Sequence, residues 1–329
     1  MKGTFLLTTL LICLVLVTSF MKLSYSIDLT VTVETDKPIY NVGETVNISG
    51  NLTFNETART NGLVGVEIDD ADNAIVFRTL DTGTTPSGPW TVVVIDAYIG
   101  DIYQNPVAEV GRGLQCYIWI HYNNSAGSPF YALITLTILD SRKTCLFTSA
   151  SMEYIQAGGP YFTAKMWIVP EDAELGTASI YGNAYDKYPR DHGTPYCPEQ
   201  SSTFNIVSMG GLSLSAEKDV APMQVPGSFE CSIYIPRYGA RLGNYTVYAT
   251  SFIYVFPIYL AFDSTTFQVV LAGDLNNSGK VNIVDIVIVA VAFSSSPPSD
   301  PRADANKDGK VNIVDLAIVA IHYGEWGRL

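Results

Sequence analysis

Positive charge is what this 329-residue chain has least of: 19 lysines and arginines stand against 32 aspartates and glutamates, a formal net charge of −13. With its lysines scattered, it offers no electrostatic footprint for nucleic acid or an anionic membrane, and both are set aside as partners. Histidine is scarcer still, at three. No G-x-S-x-G, H-E-x-x-H or P-loop motif occurs, so the usual serine-hydrolase, metalloprotease and nucleotide-binding machineries are missing. Glycoside hydrolysis needs two carboxylates facing each other across a cleft, whereas Glu171, Asp172 and Glu174 crowd one turn. The richest polar loop, DKYPRDHGTPYCPE (186–199), collects Asp186, Asp191, His192 and Glu199. It is the best site for catalysis or an additional metal, although loops carry such residues for solvation alone. A non-catalytic protein is expected.

Long apolar runs are missing too, with one exception. Lys2 is followed by FLLTTLLICLVLVTSF, then by Lys22 and the small-residue stretch LSYS. Residues 1–26 therefore read as a secretory signal peptide cut near Ser26, with a retained membrane anchor as the alternative. Cleavage removes Lys2, Lys22 and Cys13, taking the formal charge from −13 to −15. The mature protein is expected outside the cell, associated with the cell surface. Its four cysteines, Cys116, Cys145, Cys197 and Cys231, allow two disulfides in any of three pairings. None lies in a CxxC pair, which argues against zinc. Asn-x-Ser/Thr sites at Asn47, Asn51, Asn55, Asn123, Asn244 and Asn276 suggest a glycoprotein, Asn276 excepted because it falls within the loop pattern described below.

No amphipathic helix is legible before residue 281. Alternation dominates instead: LTVTV (29–33), TVNISG (45–50), LVGVEI (63–68), TVVVI (91–95), LITLTIL (133–139), TVYATSF (246–252) and TTFQVV (265–270) read as strands. The fold class is mainly β, with roughly two immunoglobulin-like sandwiches at about 100 residues each. TDKPIYNVGETVNISGNLT resembles the opening strands of macroglobulin-type and bacterial Ig-like surface domains, with Tyr40, Val46 and Ile48 facing the core. IVPEDAELGTASIYGNAY (168–185) and YIPRYGARLGNYTVYATSF (234–252) both resemble closing strands. Residues 27–88 thus hold an opening half, 89–207 a complete sandwich and 208–271 a closing half. The expectation is that 27–88 and 208–271 form one Ig-like sandwich into which 89–207 is inserted. Separate small β-domains in tandem are the alternative, although pieces of about 60 residues bury little core.

The last part of the chain contains one pattern written twice. DLNNSGKVNIVD (274–285) and DANKDGKVNIVD (304–315) share the hexapeptide Lys-Val-Asn-Ile-Val-Asp (280–285 and 310–315), and equivalent positions lie 30 apart. Oxygen-bearing side chains fall at loop positions 1, 3, 5, 9 and 12 with glycine at 6, the donor pattern a hard cation such as calcium requires. The candidate metal residues are Asp274, Asn276, Ser278, Lys280 (carbonyl), Asn282 and Asp285 in loop one. In loop two they are Asp304, Asn306, Asp308, Lys310 (carbonyl), Asn312 and Asp315. Asn282 and Asn312 would act through water. Two Ca²⁺ ions are expected. Loop one carries two carboxylates and loop two three, so loop two is expected to fill first.

This pair resembles a type I dockerin, the duplicated calcium-loop module that docks into cohesin domains. Position 12 is Asp in both loops, no helix precedes loop one, and the repeat is short. The resemblance covers roughly residues 272–324, and the dockerin is taken as 272–329. It implies a small α-helical domain with two EF-hand-like loops, each followed by a helix. Without it, VDIVIVAVAF (284–293) would be assigned to a strand by its β-branched residues. Dockerins carry partner choice at loop positions 10 and 11 and six residues beyond the loop. Here those are Ile283, Val284, Val291, Ile313, Val314 and Ile321, all apolar. They imply a cohesin-like partner, or the protein's own β-domain. The family's association with polysaccharide breakdown, together with Trp90, Trp119, Trp167 and twenty tyrosines, keeps polysaccharide as a further possible partner.

Overall fold

A computed structural model describes residues 28–86, 88, 90–208, 225–253 and 259–329. The signal-peptide reading of 1–26 lies outside the described residues. The first strands are β1 (Leu29–Thr35), β2 (Ile39–Asn41), β3 (Thr45–Phe54), β4 (Thr57–Ala58), β5 (Leu63–Asp69) and β6 (Ala74–Asp81). Next come β7 (Val92–Gly100), β8 (Glu109–Gly111), β9 (Gln115–Asn124), β10 (Phe130–Leu139), β11 (Cys145–Ile155), β12 (Gly158–Ile168), β13 (Gly176–Tyr185) and β14 (Gln200–Val207). The chain continues with β15 (Ser228–Tyr234), β16 (Tyr238–Arg241), β17 (Gly243–Ile253) and β18 (Tyr259–Val270). Helices α1 (Ile283–Ala292) and α2 (Ile313–Ile321) and a last strand, β19 (Trp326–Arg328), follow. The molecule is mainly β, and among the described residues its two α-helices both lie at the calcium-loop repeat.

Alternation does the sorting. In β1 and β3 every second side chain is buried, through Leu29, Val31 and Val33 and through Val46, Ile48 and Leu52, as a sheet with one wet face requires. One sandwich pairs the sheet β1-β3-β15, extended by β4, with the sheet β2-β18-β17-β5-β6. Both its sheets draw strands from 29–81 and from 228–270: β3 pairs with β15, and β17 with β5. Tyr40, Val46 and Ile48 are buried in its core, and Phe267 lies between the rings of Tyr40 (5.3 Å) and Tyr245 (5.1 Å). The other sandwich pairs β12-β9-β7 with β11-β10-β13-β14-β8 around its own apolar cluster.

A polar seam joins the two. Strand β6 ends its sheet, and side chains of the other sandwich meet its backbone. The Phe77 amide donates to Thr137 Oγ1 (3.0 Å), the Tyr185 hydroxyl donates to the Arg78 carbonyl (2.7 Å), and the Thr79 amide donates to Glu199 (3.1 Å). This blunts an edge strand that would otherwise recruit another chain. The Arg78 guanidinium forks onto Glu199 at 2.9–3.1 Å and lies 3.6 Å from the centre of the Tyr181 ring. Such a paired and stacked arginine is a strong anchor.

The disulfide expectation is corrected: all four cysteines are free thiols. Cys116 and Cys197 are buried in the β7–β14 core, and burial raises both thiols to about 11. Cys145 and Cys231 belong to different sheets, on β11 and β15. Even cysteine number permits pairing but does not bring chains together.

Candidate calcium loops and docking face

Loop one leaves β18 through Leu271 and loop two leaves a short turn at Pro301–Ala303. In each, carboxylates from both ends fold inward. Asp274 accepts the amides of Ser278 (2.9 Å) and Gly279 (2.8 Å), while Asp285 accepts those of Leu275 (2.9 Å), Asn276 (3.3 Å) and Asn282 (2.8 Å). Loop two repeats this. Asp304 accepts from Asp308 (3.1 Å) and Gly309 (2.8 Å), and Asp315 accepts from Asn306 (3.3 Å) and Asn312 (2.8 Å). Asn276 and Asn306 each accept from the amide two residues on, at 3.0 and 3.1 Å. Gly279 and Gly309 take φ of +77° and +85°, where a Cβ is penalised.

Asp285 and Asp315 are completely buried, and no Lys, Arg or His among the described residues pairs with a loop carboxylate. A buried carboxylate without a counter-charge is expensive, and a bound cation would remove that cost. No three His, Cys, Asp or Glu side chains cluster as a metal site among the described residues. The donor sets must therefore be completed by Asn, Ser and carbonyl oxygens, which suits a hard cation and excludes a thiolate or imidazole metal. The residues present fit calcium.

The β-branched tract forms a helix because its start is built for one. Asn282 accepts the Val284 amide (2.8 Å) while Asp285 reaches back to the Asn282 amide, and Asn312 and Asp315 repeat this capping box. Burial follows the same order residue by residue over 281–290 and 311–320. Val289 and Val319 pack inward, in a cluster continuous with the core of the first sandwich. The six candidate docking residues all lie outside: Ile283 58%, Val284 47%, Val291 83%, Ile313 65%, Val314 48% and Ile321 75% exposed. Val287, half exposed on the same stripe, was missed by the sequence reading. The i+4 spacing from Ile283 would have found it.

Three other sequence candidates resolve differently. Loop 186–199 belongs to the seam: Arg190 bridges Glu67 (3.2 Å) and Asp69 (3.1 Å), His192 packs on Phe262, and Glu199 holds Arg78. Burial pushes the carboxyls of Glu67 and Asp69 above their usual range. His121, a histidine on β9 within CYIWIHYNN where a strand position and not a catalytic base is expected, is half-buried and bonded to Asp96 at 2.6 Å. Trp119 and Trp167 are buried, leaving Trp90 beside Phe54, Arg59, Phe130, Tyr131 and Tyr196 around a cavity of about 830 Å³ between the sandwiches.

Comparison with known proteins places the repeat. Residues 272–322 match the dockerin type I domain. No curated protein matches the chain. Among solved structures, the DNA glycosylase AlkC of Pseudomonas fluorescens, bound to DNA with an abasic-site analogue, aligns at TM-score 0.27 and 10% identity. That alignment covers 36% of this chain and 30% of that one. The C-terminal domain of Wzt aligns at 0.30 and 12%, covering 41% and 87%. The CARDB domain of a Pyrococcus furiosus protein in complex with di-metal ions aligns at 0.25 and 11%, covering 36% and 90%. The chain thus spans under a third of the glycosylase's length, and none of these likenesses bears on function. The C-terminal module is a type I dockerin domain; such domains bind calcium and dock to cohesins in a calcium-dependent way.

Proposed function

We propose that this is a secreted, non-catalytic surface or scaffold protein whose β-sandwiches present a dockerin to a cohesin-like partner. In this reading 27–88 and 208–271 form one sandwich carrying 89–207 as an insert, a division supported by the β3–β15 and β5–β17 pairings. Each loop holds one Ca²⁺ through the residues named above. When bound, the ion would supply the positive charge that the buried Asp285 and Asp315 lack, with the Lys280 and Lys310 carbonyls offered as further oxygen donors. The chain's own part is to set the helix starts, through Asn282 and Asn312, and so to aim the apolar stripe. Dockerin proteins are typically extracellular, which agrees with the leader. The sequon residues Asn47, Asn51, Asn55 and Asn244 are exposed, as glycosylation requires.

The twin stripe of Ile283, Val284 and Val291 with Ile313, Val314 and Ile321 carries the reading. Six large apolar side chains held outward on a two-fold repeat are what a partner covers. Their exposure favours a separate partner over the protein's own β-domain. The test is binding of a type I cohesin probe to the full chain in calcium and in chelator. Calcium-dependent binding that is lost when Ile283, Val284, Ile313 and Val314 all become Asp supports the docking face. Cohesin binding that ignores calcium, or that survives the fourfold change, refutes it.

A second reading, polysaccharide binding, is favoured by one feature, the aromatic cavity at Trp90. Its check is tryptophan fluorescence against neutral oligosaccharides, with Trp90→Ala as control. A response that persists in Trp90→Ala would place any sugar site elsewhere.

A further inference from the structure

The two halves of the dockerin clasp each other symmetrically. Ser294 donates to the Val311 carbonyl (2.8 Å) and Val311 to that of Ser295 (3.0 Å). Thirty residues on, Gly324 donates to the Val281 carbonyl (2.9 Å) and Val281 to that of Glu325 (3.0 Å). Beyond this point the symmetry ends. After Ser295 the chain reads Ser-Pro-Pro, and proline has no amide to offer a sheet. After Glu325 it reads Trp-Gly-Arg, which forms β19.

Strand β19 has two neighbours. It runs parallel to β16 of the first sandwich: the Leu242 amide donates to the Arg328 carbonyl (2.7 Å), and Arg328 Nε donates to the Gly239 carbonyl (2.9 Å). Gly239 leaves room for the Trp326 ring; a Cβ there would lie 3.1 Å from it. On its other side β19 meets loop one. Gly327 donates to the Gly279 carbonyl at 3.0 Å, and Lys280 bridges to Trp326. Gly279 and Lys280 are loop positions 6 and 7, the reversal and the carbonyl donor. A side chain at Gly279 would strike the Gly327 carbonyl at 2.9 Å, whereas at Gly309 it would meet nothing within 4 Å.

We propose that β19 couples calcium binding in loop one to anchoring of the dockerin on its own sandwich, so that loop one sets the orientation of the docking face while loop two does not. This rests on the calcium reading above. Calcium holds positions 6 and 7 in the shape that β19 pairs with, and β19 holds them in that shape before calcium arrives. The coupling is reciprocal by thermodynamic necessity.

The experiment uses the full chain in two backgrounds: Asp304→Ala, which leaves loop one as the working site, and Asp274→Ala, which leaves loop two. Each is titrated with calcium chloride by calorimetry, with and without residues 326–329. Removal is expected to weaken the loop-one site about fivefold or more and to leave the loop-two site unchanged. Reciprocally, calcium should slow hydrogen exchange at the Leu242 amide in Asp304→Ala and not in Asp274→Ala. Arg328→Ala serves as a milder second variant, checked for folding by circular dichroism, and should weaken loop one in the same direction. Equal affinities with and without the strand, equal weakening of both loops, or Leu242 exchange indifferent to calcium overturns the coupling while leaving calcium binding intact. No calcium uptake by the wild-type chain overturns the calcium reading itself.

Discussion

Loop one and loop two share the hexapeptide Lys-Val-Asn-Ile-Val-Asp and nearly the same hydrogen bonds, yet they sit in different mechanical settings. Loop one is braced from behind by β19, which is itself paired to β16 of the sandwich. Among the described residues, loop two is held by the clasp with Ser294 and Ser295, by its own turns and by the buried Ala303 and Val311, with no strand behind it. Charge runs the other way: loop two has three carboxylates and loop one has two, with Ser278 where loop two has Asp308. Affinity in such a pair is a balance of ligand charge and site rigidity, and here the two are divided between the copies. Local sequence equality does not make equal sites.

Calcium removal should have the largest effect. In chelator, amides of 304–321 are expected to exchange about tenfold or more faster than those of 274–292, because only the first half keeps a sheet partner. Exchange mass spectrometry reads this directly, and equal rates would remove the contrast. Next is glycine replacement. Gly279→Ala and Gly309→Ala each force a Cβ into left-handed backbone, costing about 1 kcal/mol. Only Gly279→Ala also pushes the Gly327 carbonyl, so it should cost about 2 kcal/mol in all by the same scale. Denaturant unfolding in excess calcium separates the two.

Charge can then be equalised. Ser278→Asp gives loop one a third carboxylate and should tighten its site on the order of tenfold, measured by calorimetry in the Asp304→Ala background. An unchanged affinity would mean that position 5 does not face the ion. The smallest difference is expected at the caps. Asn282→Ala and Asn312→Ala each lose one cap bond worth about 1 kcal/mol, and they should match within a few tenths. A large inequality would show that tertiary bracing reaches α1 but not α2.

Much of this was legible beforehand. The strands at 29–33, 45–50 and 63–68 were visible because one-sided burial imprints period two on the residues themselves. The duplicated loop pattern was visible because its spacing is local: the candidate donors of one loop lie within twelve consecutive positions. The helices were legible through the dockerin resemblance and not through propensity, since Val and Ile in 284–291 favour strands. What decides the matter is the capping box at Asn282 and Asp285, together with burial of Val289. The 186–199 loop misled in the opposite direction. Asp186, Asp191, His192 and Glu199 look like chemistry in one dimension, but Arg78, Glu67 and Asp69, more than 100 residues away, turn the loop into a seam.

The alternating strands, the duplicated loop pattern and the apolar character of the stripe each depend on residues within a few positions of one another, so the chain carries them in one dimension. Packing adds the outward aim of the stripe, the unpaired cysteines, the sealing of β6 by side chains of another sandwich, and Trp-Gly-Arg as a strand bracing one loop of two. Those outcomes depend on which distant backbone edges meet, and no local pattern carries that information.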